Sequence, residues 1–372
     1  MNICILGGGN IGTLVMGELG RKENISVRLL TSRPHDWNHD IEVCDNDGVF
    51  KYSGRVDIIS NNPEEAVSDA DIIISTLPSY MFKKTIQKIK PFLKVGAWIG
   101  LMPGNGGSEF YCKELIESGH TIFGFQRVYG IARIKEYGKS VYDLGKKKEL
   151  FIGAIPADNS EKVCKVLEDL FDMKCNPLVN YLHVALTPAN PILHTSRLYE
   201  MFHNYSEGVY WEKMIGFYTE WTDEASTMLI ACDEEVQTLC RRLDTVDLKK
   251  VGFVKEYFGA QTPQQMTTKI SNIIALKNIQ SPMVITEKGY IPDFTSRYFL
   301  EDFPFGLCII KSFSEIVQIQ IPLIDKILMW FEKVTGVEYY VDGKFEGKDL
   351  KNLPIPQNFG LNSVEDITEY YR

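Results

Sequence analysis

Apolar strands alternating with amphipathic helices over the first 180 residues predict an α/β doubly wound N-terminal domain. A glycine-rich turn between the first strand and first helix supports it, and apolar steps of three and four further along predict an all-α C-terminal domain. The boundary falls at 180, giving domains 1–180 and 181–372. A chain of 372 residues exceeds what one hydrophobic core ordinarily holds, so two domains are expected on length as well.

Residues 2–6 (NICIL) form a short apolar run ended by three glycines, and 11–19 carry apolar residues at helical spacing, which predicts strand, turn and helix. Residues 27–30, 71–77 and 97–102 read as further strands, apolar enough to be buried on both faces. Helices are expected between them at 63–70, 79–90 and 108–118, then strands at 121–125 and 149–155 and a helix at 159–171. In the second domain, apolar positions from 211 to 243 follow one helical period and predict a single long helix. Helical spacing also marks 266–274, 307–317 and 322–334, whereas 281–295 is rich in turn formers and 337–372 shows no period. Trp211, Trp221 and Met228 on the long helix are expected in the core.

The formal charge of −9 repels a polyphosphate backbone, so no nucleic-acid partner is expected, and the Lys146-Lys147-Lys148 run reads as a solvated turn between strands. No apolar run approaches bilayer length and the N-terminus begins directly in a strand, so a cytoplasmic protein with no membrane partner is expected. The eight cysteines include no C-x-x-C pair and no His/Cys cluster at zinc spacing, which predicts reduced, buried thiols and no metal.

Gly7-x-Gly9-x-x-Gly12 follows a strand and opens a helix at the start of the chain, the setting in which this pattern binds a dinucleotide. Gly7 permits the tight turn, Gly9 lets a pyrophosphate approach the backbone, and Gly12 lets helix and strand pack closely. Asn10 and Ile11 sit at the helix N-terminus that faces the anion. The first domain is therefore expected to be Rossmann-type. The second strand ends Thr31-Ser32-Arg33 without the carboxylate that holds a ribose 2′-hydroxyl. Hydroxyls and a guanidinium suit a 2′-phosphate instead, so NADP(H) is expected over NAD(H). The plainer reading of Arg33 is an exposed loop residue. Leu77 and Pro78, and Asn105 and Gly106, follow later strands at the edge where parallel sheets bind ligands, and are further cofactor-contact candidates. Residues 103–106 would form a turn in any case.

In residues 187–194 (TPANPILH), Asn190 and His194 stand one helical turn apart, with Thr187 as a helix cap and Pro188 in the first turn. Histidine suits proton transfer near neutral pH, yet spacing alone favours a satisfied core histidine. Arg297, Glu301 and Asp302 cluster before a helix, where Asp302 by itself reads as a cap.

Taken together, GGGNIG at 7–12, PGNGG at 103–107, NPILH at 190–194 and RYFLEDFPFGL at 297–307 occur in order and at appropriate separations. On these stretches the chain resembles the octopine/nopaline dehydrogenase (opine dehydrogenase) family over nearly its whole length. The resemblance implies a Rossmann domain joined to an all-helical one, and reductive condensation of a 2-oxo acid with the amino group of an amino acid or related amine. It implies His194 as acid/base, Asp302 as its carboxylate partner and Arg297 as carboxylate clamp, with Asn190 placed either to bridge substrate and cofactor or to pack. Thr195 follows His194 where the family often continues His-Pro, and residues 128–133 (VYGIAR) depart from the usual Pro-aromatic form. These departures bear on substrate more than on reaction. Two other functions fit the same domains: reduction of a 2-oxo acid to a 2-hydroxy acid with NADPH, and non-catalytic NADPH binding for regulation, against which the retained His194, Arg297 and Asp302 argue. The apolar helix faces are covered either within one subunit or in a homodimer.

Overall fold

The glycine-rich turn joins β1 (Asn2–Leu6) to α1 (Asn10–Leu19) in a computed structural model that describes residues 1–188 and 190–372. The first unit continues with β2 (Ser26–Leu30), β3 (Asp40–Cys44), β4 (Phe50–Arg55), β5 (Ile58–Ser60), α2 (Pro63–Val67), β6 (Ile72–Ser75), α3 (Ser79–Ile89) and β7 (Trp98–Leu101). After α4 (Lys113–Glu117) come β8 (Thr121–Phe125), β9 (Gly130–Glu136), β10 (Ser140–Lys146), β11 (Glu149–Ile155), α5 (Ser160–Phe171), β12 (Lys174–Pro177) and α6 (Leu182–Ala185). This unit comprises Met1–Ala185 and takes back the last four residues, Glu369–Arg372.

Its main sheet has eight strands in the order β12-β11-β8-β7-β6-β1-β2-β5, parallel except where β11 meets β8. Ile3, Ile5, Ile73, Ile74 and Ile99 are fully buried, as strands covered on both faces require. Register decides where ligands can bind: Leu6 lies opposite both Leu30 and Ser75, and Ser75 opposite Leu101. The loops after β1, β2, β6 and β7 therefore leave the sheet at one edge.

A second, four-stranded sheet, β4-β3-β10-β9, was not expected from the sequence. Its strands are largely exposed on one face and rich in charged residues, so they lack the apolar runs that mark the main sheet. Glu18 of α1 ties the sheet down, accepting from the Tyr52 hydroxyl at 2.6 Å and the Lys146 ammonium at 2.5 Å.

The second unit, Leu186–Thr368, is predominantly helical. It contains α7 (Asn190–Phe202), α8 (Asp223–Arg242), α9 (Val254–Phe258), α10 (Pro263–Ser271), α11 (Arg297–Asp302), α12 (Cys308–Ile316) and α13 (Pro322–Thr335). α11 runs through a π-helical turn, Phe303–Leu307, into α12, and Phe303 stacks on Phe331 of α13 with centroids 4.2 Å apart.

Three expectations for this unit are corrected. The long helix begins at Asp223, not 211: Thr222 caps it, accepting from the Ala225 amide at 3.1 Å, and Asp223 and Glu224 suit its positive end. Residues 211–221 instead form turns whose inward aromatics mimic helical spacing. Residues 281–295 contain a hairpin of β13 (Met283–Thr286) and β14 (Gly289–Pro292). The tail carries a helix, α14 (Val364–Tyr370). Among the described residues no helix is long and apolar enough to cross a membrane.

Candidate active site

At the edge of the main sheet, Gly7 adopts φ +106°, and a β-carbon on Gly12 would lie 1.9 Å from the Gly7 carbonyl oxygen. A β-carbon on Gly9 would meet nothing within 4 Å. Gly9 is the N-cap of α1 and no side chain among the described residues caps the helix, which leaves its first amides for an anion. The residues present thus fit a pyrophosphate.

The side chain of Asn10 turns to the second sheet, where its Oδ1 accepts from the Ile134 amide at 2.8 Å, and Ile11 packs against the core. Leu77 lies against Gly7, and Pro78 precedes α3 as its N-cap. Asn105 and Gly106 follow β7, with Gly106 at φ +94°. At the end of β2, the Thr31 hydroxyl accepts from the Arg33 amide at 3.3 Å, and Ser32 is exposed. The Arg33 guanidinium lies 4.6 Å from the Tyr137 ring centre and 3.7 Å from the Asp36 carboxylate, with its side chain 63% exposed.

Sequence reasoning missed three residues here. Thr76 donates to the Gly7 carbonyl at 3.0 Å, and the Trp37 ring fills the space beside Gly8, where a β-carbon would come within 2.1 Å. Tyr137 is the third. Trp37 and Tyr137 lie outside every element the sequence suggested. Behind the 103–107 loop, Glu109 is fully buried and accepts from the Tyr371 hydroxyl at 2.7 Å; burial pushes its carboxyl up to about 7.

In the helical unit, α7 carries His194 and the end of α11 carries Asp302, both buried. Imidazole Nδ1 donates to the Asp302 carboxylate at 2.8 Å, across 108 positions of sequence, and Nε2 accepts from the Tyr218 hydroxyl at 2.9 Å. The rings of Tyr298 and Phe217 stand edge-on to the imidazole, with centroids at 4.7 and 5.6 Å. The cap expected for Asp302 alone is corrected: the residue closes α11 and its carboxylate goes to His194 instead of a helix amide. Arg297 opens α11, exposed and without an ion-pair partner among the described residues. Asn190 opens α7, one turn before His194, and is exposed; Thr187 and Pro188 precede that helix, and the residue at 189 lies outside the described ones.

Tyr218 was hidden because its segment reads as part of the long helix. The signal available was the spacing of Phe217, Tyr218 and Trp221 directly before the Thr222 cap.

A Rossmann-type phosphate turn together with a histidine–carboxylate pair in a separate helical unit defines a two-domain, nicotinamide-dependent oxidoreductase. Comparison with known proteins narrows this. Residues 177–335 match the family model for the α-helical domain of NAD/NADP octopine/nopaline dehydrogenase, and residues 3–153 match that of ketopantoate reductase PanE/ApbA. Tauropine dehydrogenase of Arabella iricolor is 28% identical, covering 98% of this chain and 99% of its own. Octopine dehydrogenase of Pecten maximus is 26% identical, covering 99% and 98%. A solved structure of octopine dehydrogenase with NADH and L-arginine superposes with a TM-score of 0.86 at 25% identity, over 99% of this chain and 98% of that one. Over nearly its whole length the chain is similar to the octopine/nopaline (opine) dehydrogenases. It is an NAD(P)H-dependent opine-type dehydrogenase, an oxidoreductase acting on CH–NH donors that condenses a 2-oxo acid with the amino group of an amino acid or related amine.

Proposed function

We propose that His194, Asp302, Arg297 and Asn190 carry the condensation and that NADPH is the reductant, in the cytoplasm. The observation that carries this reading is the buried His194–Asp302 pair at 2.8 Å in the helical unit. The eight free, buried cysteines support a reducing compartment.

Arg297, which has no ion-pair partner among the described residues, binds the 2-oxo acid carboxylate and fixes its carbonyl, while Asn190 orients the amine partner. His194 removes the amine's proton, so that nitrogen attacks the carbonyl carbon, and returns a proton to the carbinolamine hydroxyl as it leaves as water. Asp302 fixes the imidazole tautomer and stabilises its charged form. Tyr298 and Phe217 keep apolar surface around the imidazole. The phosphate turn of Gly7, Gly9, Asn10, Ile11 and Gly12 holds the dinucleotide, with Leu77, Pro78, Asn105 and Gly106 at the same sheet edge. When bound, the reduced nicotinamide supplies the hydride that converts the imine to a secondary amine.

For the choice of NADPH, Thr31, Ser32 and Arg33 present hydroxyls and a guanidinium held over Tyr137. The Arg33–Asp36 contact is exposed, and such pairs contribute only about 0–1 kcal/mol, which leaves the guanidinium available to a phosphate. A second reading, NADH, is favoured by the octopine dehydrogenase structures that hold NADH.

A matrix of 2-oxo acids against amines, following NADPH and NADH loss and product mass, tests the reading. Octopine dehydrogenase has been solved with pyruvate, L-arginine and agmatine, so these head the matrix. Products carrying the mass of both substrates less water plus two hydrogens support it. Oxo-acid reduction without amine incorporation contradicts it.

A further inference from the structure

We propose that Tyr218 is the residue that passes protons between the substrate nitrogen and His194. The proposal rests on the condensation reading above and adds a residue to it.

Asp302 occupies Nδ1, which leaves Nε2 as the ring atom through which His194 can exchange a proton, and at 2.9 Å that atom already accepts from the Tyr218 hydroxyl. A substrate proton therefore reaches Nε2 either through the phenol or after the phenol has moved away. The surroundings hold it in place. Tyr218 is only 6% exposed, its ring lies parallel to Trp221 within 10° at 6.2 Å, and Phe217 meets it edge-on at 5.0 Å. Trp221 is fixed in turn by its indole N–H donating to Ser226 at 3.0 Å. The chain between is pinned by buried Arg197, one turn beyond His194 on α7, which donates to the Glu220 carbonyl at 2.6 Å. Tyr298 of α11 also stands against the imidazole, edge-on at 4.7 Å, and three further titratable groups on neighbouring elements are engaged elsewhere. Cys232 of α8 accepts from Ser196, Arg197 also pairs with Glu200, and Lys326 of α13 lies over Tyr199.

The relay balances without a net change in the phenol. As the substrate ammonium N–H bond breaks, its proton passes to Tyr218 Oη while the phenol's own proton passes to His194 Nε2. The products are a free amine, a neutral tyrosine and an imidazolium paired with Asp302. In the reverse direction the imidazolium returns its proton through Tyr218 to the carbinolamine hydroxyl; the C–O bond breaks, water leaves, and the nitrogen lone pair forms the C=N bond. Concerted transfer requires no free tyrosinate. Tyr218 is then a catalytic residue and His194 the proton store behind it.

The test uses Tyr218→Phe, His194→Ala and the double variant, with 15N NMR of the imidazole in the substrate-free wild type and Tyr218→Phe. Tyr218→Phe should move the His194 Nε2 resonance, keep cofactor affinity, and lower kcat about 100-fold with little change in KM. The double variant should be no more than about threefold slower than His194→Ala alone, because members of one proton path are not additive. An unmoved resonance, or a Tyr218→Phe kcat within about threefold of wild type, overturns the proposal. Undiminished turnover in His194→Ala overturns the underlying acid/base reading instead, so the two failures are distinguishable.

Discussion

The two units build their sites from different materials. In the first, the dinucleotide turn is a backbone device: Gly7 turns left-handed, Gly12 admits the Gly7 carbonyl, and the start of α1 has no side-chain cap among the described residues, with open space at Gly9. In the second, the proposed chemistry lies in side chains from three separated segments, with Asp302 108 positions and Tyr218 24 positions from His194. A backbone device is local, so a short pattern specifies it. A side-chain constellation depends on tertiary packing, and no single local pattern encodes it.

This contrast makes different substitutions fail in different ways. The largest effect is expected in the helical unit: His194→Ala should lower kcat by about 100- to 10,000-fold while leaving the cofactor dissociation constant within about twofold. Steady-state kinetics beside a fluorescence titration with NADPH and NADH will check this, and loss of cofactor affinity would break the division of labour. In the nucleotide unit, Gly9→Val and Gly12→Ala should separate binding from folding. Filling the open space at Gly9 should raise the cofactor KM more than about tenfold with little change in Tm. A methyl at residue 12, 1.9 Å from a carbonyl oxygen, should lower Tm, at an overpacking cost of about 1–3 kcal/mol. Equal melting temperatures for the two variants would contradict the packing described.

A smaller change is expected from Arg33→Ser. Hydrogen bonds to charged groups contribute about 1.5–3 kcal/mol, so loss of one should raise the KM for NADPH by about tenfold or more and leave that for NADH unchanged. Equal changes for both cofactors would remove Arg33 from cofactor selection.

Activity should change least in Glu109→Gln, whose effect is on stability. Burial raises the Glu109 carboxyl from 4.5 to about 7 in the folded chain, so the folded state holds a proton that the unfolded state has released between those values. That contribution is present in full below about pH 4.5 and is lost as pH rises through about 7. At about 1.4 kcal/mol per pH unit the difference amounts to ~3 kcal/mol. The variant should therefore show a flatter stability profile across this range and a Tm a few degrees above wild type at pH 8. Parallel profiles for the two proteins, by thermal melts from pH 4 to 8, would contradict the account.

The same contrast governs what could be read in advance. The central strands of the main sheet were legible because burial on both faces demands unbroken apolar runs, as in residues 72–75 (IIIS). β3, β4, β9 and β10 were not, because one exposed face breaks the apolar run with charged residues. The phosphate turn was visible because its glycines follow an apolar strand and open a helix. His194 was one of two readings until the NPILH and RYFLEDFPFGL stretches were taken together. Tyr218 stayed hidden because buried aromatics in turns and in helices share the same short spacings, and its partner lies on another element.

The central claim is that the two units serve one reaction, the joining of a 2-oxo acid to an amine. Its most direct test is the ratio of reduced-cofactor oxidation rates for a 2-oxo acid with and without its amine partner, measured on the wild-type chain. The account predicts oxidation that depends on the amine and saturates with it, with a secondary amine as product. Oxidation as fast without the amine, yielding a 2-hydroxy acid, would contradict it.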